Sequence, residues 1–437
     1  MKTTLRGTLG MTLLLLVACA TASAQEAGWT RAREEIHRDI RLSASNFTAY
    51  QDPVDTLTPT PPGYEPFYLT HYGRHGSRWL LEKSEYADAL GVMRRGHDAG
   101  ALTERGELLL RQLEDIYKEA EGRRGELTSV GEQQHHRIGK RMAELFPEIF
   151  CQPETQVDAR ATVVIRCILS MTAASEELAA ANPQARIHND VSRTFQYYLN
   201  ADWSDRATAD NSARKRAVSL NHDTQFINPE RFWKQLFLDA NYRDTKLSSR
   251  REVMKKLFYI CGNQQSHEPY LSLYDLFTEE ECYDLWRCEN ISWYVDYAQG
   301  TAPFTQAALL RNIIATADTI VDNKAFRGAT LRYGHEVCLL PLAALLELGG
   351  CYPEVPAEGL DTLDRVWANF RIFPMGCNIQ LLFYRPVSGK GDVLVKALLN
   401  ERETTLPAAP VEGPYYSWRE LRAYYLKKLD DYEQGNL

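Results

Sequence analysis

The apolar positions of this chain fall into short β-prone runs separated by longer stretches of helical periodicity. Residues 67–72, Phe-Tyr-Leu-Thr-His-Tyr, are aromatic-rich and predict a strand that ends at Gly73. The Pro- and Thr-rich residues 56–66 predict the loop before it. Residues 104–121 and 130–146 space their apolar side chains three and four apart, as helices do. Residues 157–162 predict a short strand, and 163–181 a helix closed by Asn182-Pro183. Residues 329–333 predict another strand. After it, Gly334-His335-Glu336 opens an apolar helix that runs to Leu348 and stops at Gly349-Gly350. Pro341 lies in its early turns, placed to kink it. Residues 379–384 and 393–399 predict two strands joined by the turn 386–392, and residues 418–432 an amphipathic helix.

Strands alternating with helices predict an α/β fold. Residues 25–45 are polar with a helical pattern and lead into it. Residues 191–300 break the alternation: they are polar, aromatic-rich and mainly helical. They predict a helical cap inserted between two parts of one α/β core, residues 25–190 and 301–437. No internal repeat is visible.

At the N-terminus, Lys2 and Arg6 precede an apolar run at 13–18, and Ala22-Ser23-Ala24 follows. This predicts a signal peptide over residues 1–24, cleaved after Ala24. Leu16-Val17-Ala18-Cys19 offers a competing reading, a bacterial lipoprotein box with the lipid on Cys19. Both predict export: to the periplasm, to the medium, or to a membrane-anchored lipoprotein. No later stretch reaches the roughly 18 consecutive apolar residues of a transmembrane helix. Eight cysteines remain after Cys19, open to disulfides in an oxidising compartment or to burial as thiols. Their pairing cannot be read from the sequence. The chain carries 50 basic and 58 acidic residues, a net charge of −8. This disfavours a general nucleic-acid binder. An anionic ligand would need a local cationic pocket instead.

Arg74-His75-Gly76-Ser77-Arg78, just after a predicted strand, is the densest chemical signal. In open α/β sheets, ligands bind beyond the carboxyl ends of strands. Two guanidiniums around one imidazole suit a phosphate, because each can donate paired hydrogen bonds to its oxygens. Their charge also disfavours imidazolium, which keeps His75 neutral and nucleophilic. Gly76 would let the backbone approach the anion. At the second strand end, His335 can hydrogen-bond a phosphate and Glu336 can protonate a leaving oxygen. Arg166, with Ser170 one turn on, follows the strand at 157–162. Arg214-Lys215-Arg216 and Lys255-Lys256 are candidate contacts for further phosphates, or solvated charge. His135-His136 reads as an exposed or capping pair. Phosphate-loop, dinucleotide, zinc-protease, C-x5-R and nucleophile-elbow motifs are all missing.

In this order, R-H-G-S-R, A-T-x-x-x-R-C-I-L-S-M and G-H-E resemble the histidine acid phosphatase family, and within it the multiple inositol polyphosphate phosphatase (phytase) group. The matching segments are Arg74 to Trp79, Ala161-Thr162 with Arg166 to Met171, Arg332 to Glu336, and Asn378 to Arg385. The resemblance covers residues 68–401 as spaced islands. It implies a histidine-phosphatase-like sandwich with a mainly parallel central sheet, plus an inserted α-helical cap domain. It implies phosphomonoester hydrolysis in two steps. His75 attacks phosphorus and carries it as a phosphohistidine, while Arg74, Arg78, Arg166 and His335 hold the phosphoryl oxygens. Glu336 gives a proton to the leaving group, then helps activate water. The resemblance implies no cofactor and no metal, and inositol phosphates such as phytate as the small-molecule substrate. One departure stands out: animal members of the group carry H-A-E and most histidine acid phosphatases H-D, whereas here Glu336 directly follows His335. Two rivals share the motif: a broad-specificity acid or sugar-phosphate phosphatase, and a non-catalytic phosphate-ligand binding protein.

Overall fold

The computed structural model describes residues 30–204, 212–243 and 249–436. The leader, with Cys19 and the cleavage site at Ala24, lies outside the described residues.

One sheet organises these residues. Its strands are β1 (Tyr64–Arg74), β2 (Gln156–Ala161), β3 (Arg186–Asp190), β4 (Gly328–Gly334), β5 (Asn378–Pro386), β6 (Leu394–Leu399), β7 (Arg402–Thr404) and the two-residue β8 (Tyr416–Ser417). They lie in the order β3-β2-β4-β1-β5-β6-β7, with β8 also on β6. The half β3-β2-β4-β1 is parallel throughout. From β5 onward the strands are antiparallel and joined by short turns. Arg74 stands opposite Gly334, and Ala161 opposite Tyr333. Three parallel strands therefore end level with one another, and the segments leaving them meet at one edge.

Alternation along the strands builds two cores. Tyr68 and Tyr72 of β1, with Ile379, Leu381 and Phe383 of β5, face a cluster that includes Leu310, Ile314, Leu342 and Leu421. Leu69, Leu331, Leu382 and Tyr384 point the other way, onto Ile138, Met142, Met171 and Leu178. The helix Glu336–Leu345 is buried on every side except at Val337, as a helix that is apolar all round must be. It stops before the predicted Leu348 because Glu347 adopts a left-handed φ of 52°. Leu346 and Leu348 remain buried in the turn that follows.

A third cluster is mainly helical. The helices Lys83–Asp98, Glu104–Ala120, Arg250–Asn263 and Glu279–Trp293 share it through Met93, Leu109, Leu257 and Leu285. It reaches the sheet edge through Phe47, Trp79 and Leu80. Among the described residues the eight cysteines are all free thiols, and seven of them are buried. No helix of the described residues is long and apolar enough to cross a membrane.

Candidate active site

The segment after β1 is held from four directions. His75 N–H donates to the Gly334 carbonyl at 3.0 Å, and Gly76 N–H to Ser170 Oγ at 3.1 Å. Ser77 N–H donates to Gln134 Oε1 at 2.9 Å, while Asn263 Nδ2 donates to the Arg78 carbonyl at 2.9 Å. Gly76 has a different reason from the one expected. A Cβ there would lie 2.2 Å from the carbonyl oxygen of Gly131, on the helix Ser129–Leu145. The missing side chain thus makes room for that helix, not for an anion. Gly131 mirrors it, since its own Cβ would meet Ser77 O at 2.2 Å.

His75 Nδ1 lies 2.8 Å from the Gly76 carbonyl. A carbonyl only accepts, so Nδ1 carries the proton and Nε2 presents its lone pair. Nε2 lies 3.8 Å from Glu336 Oε2. Burial holds the His75 pKa well below its ordinary value, and the charges of Arg166 and Arg74 lower it further. His335, which caps the helix Glu336–Leu345, packs its ring 5.6 Å from that of His75. Its pKa falls to about 4, through burial first and through the nearby arginines against the pull of Glu336. Both shifts favour the neutral imidazole.

Three guanidiniums complete the site. Arg74 is fully buried: Nη1 donates to the carbonyls of Asn46 and Phe373 at 2.7 and 2.9 Å, and Nε lies 3.0 Å from Glu336 Oε2. Arg78 Nη1 donates to the Trp79 carbonyl at 2.9 Å. Arg166, in the first turn of the helix Ile165–Ala181, donates to the Gly125 carbonyl at 3.3 Å. Arg74 Nη2, Arg78 Nε and Arg166 Nε are buried with no protein acceptor. Buried charged donors demand acceptors, and a phosphoryl group supplies them. Burial alone would raise the Glu336 pKa, but Arg74, Arg78 and His335 outweigh it and hold it at about 2.

His75, His335 and Glu336 bring ligand atoms within 4.8 Å of one another, close enough for a metal ion. Three arginines aimed at the same space oppose a cation and favour an anion.

The structure brings together all six predicted site residues: His75 and Glu336 with Arg74, Arg78, Arg166 and His335. It corrects the reading of His135 as exposed. That residue is buried, 5.6 Å from the Tyr333 ring, and only His136 reaches outward, to Glu177 at 2.9 Å. Lys255 and Lys256 are paired with Asp223 and Asp88 at 2.6 and 2.8 Å. The side chains of Arg214, Lys215 and Arg216 lie outside the described residues. Sequence reasoning missed the supports Asn46, Phe373, Gln134, Gly131 and Asn263. They come from distant segments without a motif.

The family model that matches this chain is the histidine phosphatase superfamily (branch 2), over residues 73–400. The chain belongs to that superfamily. This histidine phosphatase has no match among the curated proteins. Its fold is shared with the multiple inositol polyphosphate phosphatase of Bifidobacterium longum, solved with inositol hexasulfate. The TM-score is 0.74 at 18% identity, over 88% of this chain and 97% of that one. The phytase from D. castellii is similar over 89% of this chain and 85% of its own, with a TM-score of 0.63 at 13% identity. The carboxyl-edge site of the phosphatase described here thus lies on a fold that those two proteins also use.

Proposed function

We propose that this phosphatase hydrolyses inositol polyphosphates through a phosphohistidine on His75. The observation that carries the proposal is the approach of His75 Nε2 and Glu336 Oε2 to 3.8 Å amid buried, acceptorless guanidinium donors. Two of the similar folds are an inositol polyphosphate phosphatase and a phytase, which supports the substrate class.

In this reading the reacting phosphate takes the donors of Arg74, Arg78, Arg166 and His335. His75 Nε2 attacks phosphorus, an N–P bond forms, and the P–O bond to the alcohol breaks. Glu336 gives its proton to the departing oxygen, then takes one from the water that cleaves the N–P bond. In the free site Glu336 is ionised, because the cations around it outweigh its burial. A bound phosphate engages those cations and adds negative charge beside the carboxylate. Burial then prevails and the pKa rises, so substrate binding itself prepares the acid.

The apolar leader supports export, as a cleaved secreted protein or a lipoprotein anchored at Cys19. One observation favours the broad-specificity rival: Lys255 and Lys256 are already paired with carboxylates.

The test compares release of phosphate from inositol hexakisphosphate, a hexose phosphate and an aryl phosphate. It also traps the acid-labile, base-stable phosphoprotein expected of phosphohistidine. A kcat/KM highest on the hexakisphosphate, with label lost in His75→Asn, is the expected result. Equal kcat/KM on all three esters would reject the inositol reading, and an acid-stable label would reject the intermediate.

A further inference from the structure

Residues 122–126, Gly-Arg-Arg-Gly-Glu, run beside the catalytic loop and are bonded to it. Trp79 N–H donates to the Glu126 carbonyl and Gly125 N–H to the Leu80 carbonyl, both at 3.0 Å. Arg78 forms an antiparallel bridge with Leu127. From the opposite side, Arg166 Nη1 donates to the Gly125 carbonyl. Gly125 has a φ of +74°, and a Cβ there would lie 3.2 Å from Leu81 and 3.6 Å from Arg166 Nη1. The backbone carrying Arg123 and Arg124 is therefore fixed against two of the phosphate-binding arginines.

The two arginines in this loop differ. Arg123 is committed: it pairs with Glu126 at 3.4 Å and lies over the Trp79 ring at 5.2 Å. Arg124 is exposed and has no hydrogen bond or ion pair among the described residues. The residue after it, Gly125, gives its carbonyl to Arg166 Nη1, and Leu127 bridges Arg78, so Arg124 stands between the anchors of two site arginines. Lys255 and Lys256, on the helix Arg250–Asn263, are in contrast paired with Asp223 and Asp88.

We infer that Arg124 forms a second anion subsite, which takes a non-reacting phosphate while His75 engages the reacting one. The inference rests on the polyphosphate reading above and adds the residue that selects for it. A guanidinium meeting a phosphate makes charge-assisted hydrogen bonds, and exposure to solvent limits their strength. An effect of about tenfold follows, the lower end for such contacts.

The experiment measures kcat/KM on inositol hexakisphosphate and on a small aryl monophosphate for wild type, Arg124→Ala and Arg124→Lys. Alanine is expected to lower the ratio of the two about tenfold, chiefly through KM for the hexakisphosphate, and lysine to keep most of it. An unchanged ratio in Arg124→Ala overturns the subsite. Inositol hexasulfate, as an inhibitor of aryl phosphate hydrolysis, separates this inference from the substrate reading. If wild type cleaves the aryl ester but not the hexakisphosphate, the substrate reading fails. The subsite then stands if hexasulfate inhibits Arg124→Ala about tenfold less well, and falls if inhibition is equal.

Discussion

β1 and the residue that follows it carry one member of each of two histidine pairs. His75 meets His335 at the strand ends. His71 and His135 lie deeper, against the Tyr333 ring at 5.0 and 5.6 Å. Burial depresses the pKa in both pairs: His71 and His135 fall to about 3, His335 to about 4, and His75 well below its ordinary value. A neutral imidazole is therefore not what distinguishes the active one. His75 has its Nδ1 tied to a carbonyl and its Nε2 aimed at Glu336 and three guanidiniums. The rings of His71 and His135 meet only backbone groups, of Arg332 and Arg74. Burial supplies neutrality cheaply. Tautomer, aim and surrounding charge make the nucleophile.

The comparison breaks most visibly through His75→Ala. Loss of a covalent nucleophile is expected to lower kcat on the order of 10⁵-fold. His135→Leu, which alters the deeper pair, is expected to keep kcat within about threefold, since that ring is buried against Tyr333 and takes no part in the proposed chemistry. If the two variants lost activity alike, the distinction between the pairs would be wrong.

Glu336→Gln sharpens it next. The amide keeps the shape but has no proton to give, so hydrolysis of an alkyl ester should slow about 10²- to 10³-fold. An aryl ester, whose leaving group needs less help, should slow far less. Equal slowing of both would leave Glu336 as a partner of Arg74 and remove the acid role. Because Arg74 holds this carboxylate down, the glutamine variant also frees one guanidinium donor, and KM for phosphate esters should not rise.

How much of this was legible depends on where each constraint resides. His75, Arg78, His335 and Glu336 follow directly from two strand ends, and a strand end is visible as an aromatic run stopped by glycine. The braces on Arg74 are backbone carbonyls of Asn46 and Phe373, and a carbonyl has no sequence signature. β3 was missed because Arg186–Asp190 is polar and pairs only with β2, an edge strand with little apolar surface to reveal it. His135 was misread although the signal was present. It precedes Ile138, Gly139 and Met142 by three, four and seven positions, so it shares their buried face. His136 is one position round the helix and turns outward.

The deeper pair makes the smallest but cleanest prediction. A buried histidine whose folded pKa is about 3 binds its proton later than the unfolded chain, which does so near 6.5. Stability from that residue is therefore intact above about pH 6.5 and is lost as pH falls toward 3, at roughly 1.4 kcal/mol per pH unit. At pH 4.5 His135 should cost the fold about 3 kcal/mol relative to pH 7. Leucine has a similar volume and no proton to refuse, so His135→Leu should remove this acid penalty. Urea unfolding at pH 7 and pH 4.5 reads it out: the wild type should lose about 3 kcal/mol more between the two than the variant. Parallel losses would mean that His135 is already protonated in the folded protein and is held by a partner rather than by exclusion from water. The contrast with His75 would then reduce to the arginines alone.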